Sequence, residues 1–92
     1  MATIEVTRQH GLGLEGARQA VQAVAERLQD DLNARHSWSG DSLKFECPGA
    51  EGRIEVTGNG VRVSVDLSWL LKPARSRIER SIIGYLDEYL VE

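Results

Sequence analysis

The stretch "GRIEVTGNGVRVSVDL", residues 52–67, decides the fold of this chain. Apolar residues occupy every second position from Val61 to Leu67, with polar residues between them. This period of two predicts a strand with one buried face. The preceding "GNG", residues 58–60, predicts a hairpin turn, because glycine and asparagine accept positive φ. Ile54 and Val56 then belong to the partner strand of an antiparallel pair.

The same alternation predicts three further short strands on the N-terminal side of this hairpin. The first is "TIEVTR" at residues 3–8, and two more are separated by the turn residues 39–41. Residues 48–52, "PGAEG", predict another turn. Turns this short join antiparallel strands, since parallel crossovers need a dozen residues or more. The two middle strands carry their larger side chains at alternate positions, namely His36, Trp38, Leu43, Phe45 and Cys47.

Two segments change to a spacing of three and four residues, which predicts amphipathic helices. The first runs from Leu14 to about Leu32, and the second follows Pro73, a residue favoured at the first helical position. Every predicted strand has one apolar face, so both helices must cover the same face of one sheet. The sequence predicts an α+β fold: a single antiparallel sheet of about five strands with two helices packed on one face, in the order β-α-β-β-β-β-α. We expect residues 1–92 to form one domain.

Composition excludes several classes of function. The net charge is −3, from 11 basic and 14 acidic residues, whereas nucleic-acid binders usually carry an excess of lysine and arginine. No nucleic-acid partner is therefore predicted. The single cysteine, Cys47, excludes an internal disulfide and favours a reducing compartment. No apolar run approaches the roughly 20 residues that span a bilayer, so we predict a cytoplasmic protein with no integral membrane span.

Three glycines near the N-terminus, Gly11, Gly13 and Gly16, match the G-x-G-x-x-G spacing of dinucleotide-binding turns. That fingerprint requires several parallel, doubly buried strands and an acidic residue after the second strand. Here the strands are linked by hairpins, and Asp30 and Asp31 fall in the tail of a helix. We interpret the glycines as a turn and a helix start, and we predict no cofactor.

Candidate catalytic groups are few. His10, His36 and Cys47 are the only imidazole and thiol side chains, and no two of them share a metal-ligand spacing. Cys47 is in phase with Leu43 and Phe45, which predicts a small buried hydrophobic residue. A structural role is predicted for His10 beside the first helix. We expect no catalytic residue, no metal site and no enzymatic activity, although a Cys–His pair stays open as an alternative.

The segment "LSWLLKPARSRIER", residues 67–80, is the most informative candidate for binding. Its four cations surround the start of the last helix, where the helix dipole disfavours positive charge. Apolar side chains beside cations suit an amphiphilic surface that carries negative charge. Alternatively, Leu70 and Leu71 pack under the sheet and the cations are simply solvated. The candidate surface-binding residues are Trp69, Leu70, Lys72, Arg75, Arg77 and Arg80.

Two stretches of the chain carry a family resemblance. "HGLGLEGAR" at residues 10–18, followed by an Ala/Val-rich helix, resembles the N-terminal signature of the polyhydroxyalkanoic acid system family, also called polyhydroxyalkanoate granule-region proteins. "GRIEVTGNGVRVSVDLSWLLKPARSRIERSIIGYLDEYL" at residues 52–90 resembles the second half of that family. Gly16 and Trp69 depart from the expected pattern. The resemblance offers no catalytic residue to transfer to this chain.

The resemblance implies a small bacterial, cytoplasmic protein linked to the synthesis or storage of polyhydroxyalkanoate, a hydrophobic polyester kept in protein-coated granules. The expected function is that of a non-enzymatic accessory protein, with the granule or a granule-associated protein as partner. Two alternatives stay open. The chain could carry a hydroxyacyl or fatty-acyl ligand between the sheet and the last helix. It could instead be a structural homodimer that pairs through an edge strand or through the wet sheet face.

Overall fold

The computed structural model describes residues 2–90 and has one antiparallel sheet with two helices. The sheet order is β1-β5-β4-β3-β2, so the β2–β5 meander is completed by β1 at the edge beside β5. The predicted α+β class and element order are confirmed. The elements are β1 (Ala2–Gln9), α1 (Gly13–Leu32), β2 (Arg35–Ser39), β3 (Ser42–Cys47), β4 (Ala50–Val56), β5 (Gly60–Leu67), a 3-10 turn (Lys72–Ala74) and α2 (Arg75–Tyr89).

Both helices pack on the same face of the sheet, as the one-sided strands require. α1 packs chiefly over β4, and α2 packs over β1. Leu14 begins the helical spacing in the sequence, but it is 39% exposed because it lies in the first turn of α1, ahead of the first buried residue. The buried residues of the two helices are Ala17, Ala20, Val21, Val24, Ala25 and Leu28 in α1, and Ile78, Ile82 and Leu86 in α2.

The two helices are also joined by polar contacts at the rim of the core. Arg27 of α1 donates to the Tyr89 hydroxyl at 3.3 Å and lies 4.9 Å from the centre of the Tyr85 ring. The hydrogen bond with Tyr89 is the main cause of a raised pKa for the Arg27 guanidinium. The Tyr85 hydroxyl donates to the Asp31 carboxylate. These contacts orient α2 along α1 without occupying the core.

The turn between β3 and β4 is shorter than predicted. Residues 48–52 were expected to form it, but β4 already begins at Ala50, so the turn consists of Pro48 and Gly49. Gly49 has a φ of +90°, which favours glycine. Gly52 lies within β4, directly opposite Phe45 of β3, and the Phe45 ring covers it. Gly52 is thus predicted to lie in a turn, but it lies in a strand and contributes to packing.

The hairpin between β4 and β5 is confirmed, but its predicted mechanism is wrong. Within residues 2–90, positive φ occurs only at Gly13, Asn33, Gly40 and Gly49, none of which belongs to this turn. Thr57 closes the hairpin instead. Its N–H donates to the Gly60 carbonyl at 2.9 Å, and its Oγ1 accepts from the Gly60 N–H at 3.0 Å. The Thr57 hydroxyl therefore stabilises this turn in place of the residues with positive φ that the sequence predicts.

Gly84 gives a test of helix propensity that does not involve the core. It lies inside α2, it is exposed, and a Cβ built on it meets no atom within 4 Å. We expect Gly84→Ala to raise the free energy of unfolding by about 0.5–1 kcal/mol, because alanine loses less backbone entropy in a helix. Urea denaturation measures this change, and a loss of stability would contradict the free space around Gly84.

Candidate functional site

His10 holds the turn between β1 and α1. Its side chain is 9% exposed, and its Nε2 lies 3.1 Å from the Thr57 carbonyl oxygen, while Nδ1 accepts from the Leu12 N–H at 3.2 Å. These contacts assign the neutral tautomer with the proton on Nε2. The His10 N–H also donates to the Asn59 carbonyl at 3.1 Å. His10 thus connects the β1–α1 turn to the β4–β5 hairpin, in agreement with its predicted structural role.

The glycine motif forms this same turn. Gly11 belongs to the bend, and α1 begins at Gly13, whose φ of +74° favours glycine. No side chain caps the start of α1, and the N–H of Leu12, the residue before the helix, donates to Nδ1 of His10. The sheet is antiparallel throughout, which differs from the parallel sheet of a dinucleotide-binding fold. The interpretation as a turn and helix start agrees with this geometry.

A polar cluster covers the outer end of the core at β2. The Trp38 Nε1–H donates to Gln22 Oε1 at 2.8 Å, and Gln22 Nε2 lies 3.3 Å from Nε2 of His36. Arg18 stacks 4.8 Å from the centre of the Trp38 ring and pairs with Asp41 at 3.4 Å. Trp38 therefore covers the edge of the sheet at β2, and its indole N–H is paired with a residue of α1.

Cys47 does not have the surroundings of a reactive thiol. It is half-buried at the end of β3, and burial raises the pKa of its thiol. The neutral form, which is the poorer nucleophile, therefore persists further toward alkaline pH. Among residues 2–90, no three His, Cys, Asp or Glu side chains come close enough together to hold a metal ion.

The most exposed apolar side chains lie between β5 and α2. Trp69 is 82% exposed and Leu70 is 58% exposed, and we call these two residues the apolar pair. Leu71 is half-buried and packs against the core. The alternative in which Leu70 and Leu71 both pack under the sheet is thus wrong for Leu70, because only Leu71 packs against the core.

The loop that carries the apolar pair is fixed to the sheet. The Ser68 N–H donates to the Gly49 carbonyl at 2.9 Å, and the Leu71 side chain packs on Gly49. The Leu71 N–H donates to the Ser68 carbonyl at 3.1 Å, and the Ala74 N–H donates to the Leu71 carbonyl at 2.9 Å. The exposed side chains of the apolar pair are therefore presented on an ordered turn.

The four cations of this segment divide into two groups. Arg75 donates to the Thr3 carbonyl at 3.2 Å and lies 3.7 Å from the Glu79 carboxylate. Arg80 donates to the Ser76 carbonyl of its own helix at 3.4 Å. Lys72 and Arg77 are exposed, and within the described part of the chain neither forms an ion pair. Sequence reasoning treated the four alike, since only the fold shows that Arg75 lies beside β1.

The start of α2 adds to the positive potential of this region. Its first turn contains no acidic residue, and no side chain caps its N–H groups. The Arg75 N–H donates to the Lys72 carbonyl of the preceding 3-10 turn, and the helix dipole places partial positive charge at this end of α2. The apolar pair, Lys72, Arg77 and the start of α2 together combine apolar and cationic character at one end of the molecule.

Two open grooves lie outside the layer between the sheet and α2. One, of about 620 Å³, crosses the helix-free face of the sheet, and the other, of about 630 Å³, lies at the sheet end beside Cys47 and Ser68. One alternative places an acyl ligand between the sheet and α2. This layer is filled by Ile78, Ile82 and Leu86, which are 6%, 0% and 0% exposed. This packing does not favour the carrier alternative.

Among residues 2–90, no helix combines the length and apolar character needed to cross a membrane.

Comparison with known protein families gives a match. A family model described as "Putative polyhydroxyalkanoic acid system protein" matches residues 4–90, nearly the whole chain. The match covers both stretches that carry the resemblance, the β1–α1 turn and the segment from β4 to the end of α2. No curated protein and no solved structure matches the chain.

Proposed function

The chain belongs to the polyhydroxyalkanoic acid system protein family, and from that membership we propose that it is a non-enzymatic accessory protein that associates with the surface of polyhydroxyalkanoate granules in the cytoplasm. The observation that supports this proposal is the exposed apolar pair on a fixed turn. A soluble domain gains nothing from an ordered tryptophan in water, whereas a hydrophobic polyester surface gives it an apolar environment.

The apolar pair supplies the larger share of the binding energy. Burying the exposed parts of Trp69 and Leu70 removes about 250 Å² of surface from water, which is about 6 kcal/mol at 25 cal/mol per Å². Part of this is lost to the entropy of association. The pair alone therefore supports weak, reversible binding.

The cations add an electrostatic contribution. A lysine or arginine near an anionic surface contributes about 1 kcal/mol, and salt screens this contribution. Lys72 and Arg77 are available for such contacts, whereas Arg75 and Arg80 bind backbone carbonyls of this chain. In the proposed complex, Lys72 and Arg77 face carboxylates or other anionic groups at the coated granule surface, while Arg75 and Arg80 position the start of α2.

Substitution of the apolar pair tests this assignment. We expect Trp69→Ala with Leu70→Ser to weaken binding to isolated granules by at least about 100-fold, because the variant loses most of the buried apolar area. Lys72→Gln with Arg77→Gln should weaken binding several-fold and reduce its salt dependence. Co-sedimentation across a granule titration measures both effects.

A matched control is available on α1. Leu14 is exposed but lies in α1, outside the proposed surface, so Leu14→Ser should bind granules as the unsubstituted protein does. Equal binding by the Trp69/Leu70 variant and the unsubstituted protein would contradict the proposed surface. Protease treatment of the granules distinguishes between a granule protein and the polyester as the partner. Binding that disappears with the protein coat indicates a granule protein, and binding that persists indicates the polyester.

A further inference from the structure

The helix-free face of the sheet has an unusual arrangement of charge. In the β3–β4 pairing, Lys44 lies directly opposite Arg53, and Glu46 lies directly opposite Glu51. In the β4–β5 pairing, Glu51 also lies directly opposite Asp66. Like charges in direct cross-strand register are destabilising. Three adjacent pairs of this kind sort the face into an acidic row (Glu46, Glu51, Asp66) and a basic row (Lys44, Arg53).

Neither row forms ion pairs within the chain, although Arg35 of β2 lies directly opposite Glu46 at one end of the acidic row. All five side chains are exposed, and among residues 2–90 none of them forms an ion pair within 4 Å. The ion pair that this face does contain joins Arg62 to Glu5, at the side of β1. Neighbouring outward positions on one strand are about 7 Å apart, so the two rows run side by side across the strands. A partner that presents the opposite order of charge would compensate both rows.

A second copy of the chain presents that order. The two copies pack face to face around a two-fold axis. This axis lies in the contact plane, crosses the strands, and runs midway between the two rows. The acidic row of each copy then lies on the basic row of the other copy. Glu51 then faces Arg53 of the second copy, and Glu46 faces Lys44 of the second copy. The symmetry repeats both contacts, which gives four ion pairs. We propose that the helix-free face is the interface of a symmetric homodimer.

The flanking positions of the two rows also match under this symmetry. In the strand registers, Asp66 and Ser64 are consecutive outward residues of β5, and Arg35 and Ser37 are consecutive outward residues of β2. Asp66 therefore faces the Ser64 hydroxyl of the second copy, and Arg35 faces the Ser37 hydroxyl. Each opposed pair joins an ion to a hydroxyl group, so no like charges meet.

The size of the face predicts a weak dimer. Five strands spaced about 4.8 Å apart, with about three outward residues each, give a footprint of about 24 by 20 Å. Two copies then bury about 1,000 Å², which is at the lower limit for a specific interface. The groove of about 620 Å³ between the long side chains of this face gives room for the side chains of the second copy. We expect a dimer that dissociates on dilution and in high salt.

Charge reversal tests the interface. Lys44→Glu with Arg53→Glu makes both rows acidic, and Glu46→Lys with Glu51→Lys makes both rows basic. Each variant alone should lose at least about 100-fold in dimer affinity, because like charges now face each other. An equimolar mixture of the two variants should regain association, since an acidic face then meets a basic face. Sedimentation-velocity runs over a concentration series measure all three, and circular dichroism checks that each variant is folded.

A control reverses charge on the helix side of the molecule. Glu26 and Asp30 are exposed on α1, so Glu26→Lys with Asp30→Lys changes the net charge as the basic variant does and should leave the dimer intact. An unsubstituted protein that stays monomeric at all concentrations would overturn the proposal. So would variants that dimerise unchanged, or folded variants that fail to associate when mixed. Granule binding through the apolar pair is measured in a separate co-sedimentation experiment. Failure of the dimer proposal would therefore leave the proposed function unaffected.

Discussion

Gly52→Ala is expected to lower the free energy of unfolding by about 3 kcal/mol, a large loss for a domain whose total stability is of the order of 5–15 kcal/mol. A Cβ built on Gly52 comes within 2.2 Å of the Phe45 ring, and two further ring atoms lie at 2.6 Å. Phe45 is 4% exposed and pairs with Gly52 in the β3–β4 register, so its ring has no free space to enter. Urea denaturation monitored by circular dichroism measures the loss.

A second substitution identifies the ring as the cause. Phe45→Leu shortens the side chain above Gly52, so the combined variant Phe45→Leu/Gly52→Ala should be more stable than the sum of the two single losses predicts, by at least about 1 kcal/mol. Gly84→Ala introduces the same methyl group into open space and should raise stability. Strict additivity of the two substitutions, or a Gly52→Ala loss below about 1 kcal/mol, would contradict the packing of Phe45 on Gly52.

His10→Ala is expected to lower the free energy of unfolding by about 2–3 kcal/mol. It removes a buried ring and leaves the Leu12 N–H and the Thr57 carbonyl without their side-chain partner. Each partly buried polar group that loses its partner costs about 1–3 kcal/mol. The change also disconnects the β1–α1 turn from the β4–β5 hairpin. Amide hydrogen exchange at Leu12 should accelerate together with the loss of global stability.

Two conservative variants separate the contributions of the two ring nitrogens. His10→Asn keeps a side-chain oxygen near the position of Nδ1, so it should retain the Leu12 contact and lose the Thr57 contact. His10→Gln places an amide nitrogen near the position of Nε2, so it should retain the Thr57 contact instead. Both variants should fall between the unsubstituted protein and His10→Ala in stability. A His10→Ala variant as stable as the unsubstituted protein would refute the role of this side chain.

Periodicity alone was sufficient for the class of fold and the order of the elements. The strict alternation from Val61 to Leu67 and the helical spacing that follows Leu14 each depend on local sequence, and both are present in the structure. The role of Gly52 could not be predicted from local sequence. Glycine is needed there because of the Phe45 ring, which becomes its neighbour only in the paired sheet. A glycine near Pro48 indicates a turn until that register is known.

The charge rows on the helix-free face depend on the same register, so the sequence alone does not show them. With a turn at residues 48–52, the strands on either side do not place Glu46 beside Glu51 or Lys44 beside Arg53. The observed two-residue turn at Pro48 and Gly49 fixes that pairing. A one-residue change in register moves every side chain to the other face, so the length of the turn determines the surface.

The candidate binding surface was predictable in composition but not in detail. The sequence places Trp69, Leu70 and the cations together, but the spacing does not show which leucine enters the core. Leu71 does so because Gly49 leaves room for it at the end of the sheet. Similarly, the contact of Arg75 with Thr3 depends on β1 lying beside α2, which no local pattern shows.

Sedimentation of the purified protein with isolated polyhydroxyalkanoate granules, at low and high salt, tests the proposed function most directly. We expect the protein to pellet with the granules at low salt and to be partly released at high salt, because the apolar pair persists where the contacts of Lys72 and Arg77 are screened. Protein that stays in the supernatant at every granule concentration and at both salt concentrations would contradict the proposed association with the granule surface.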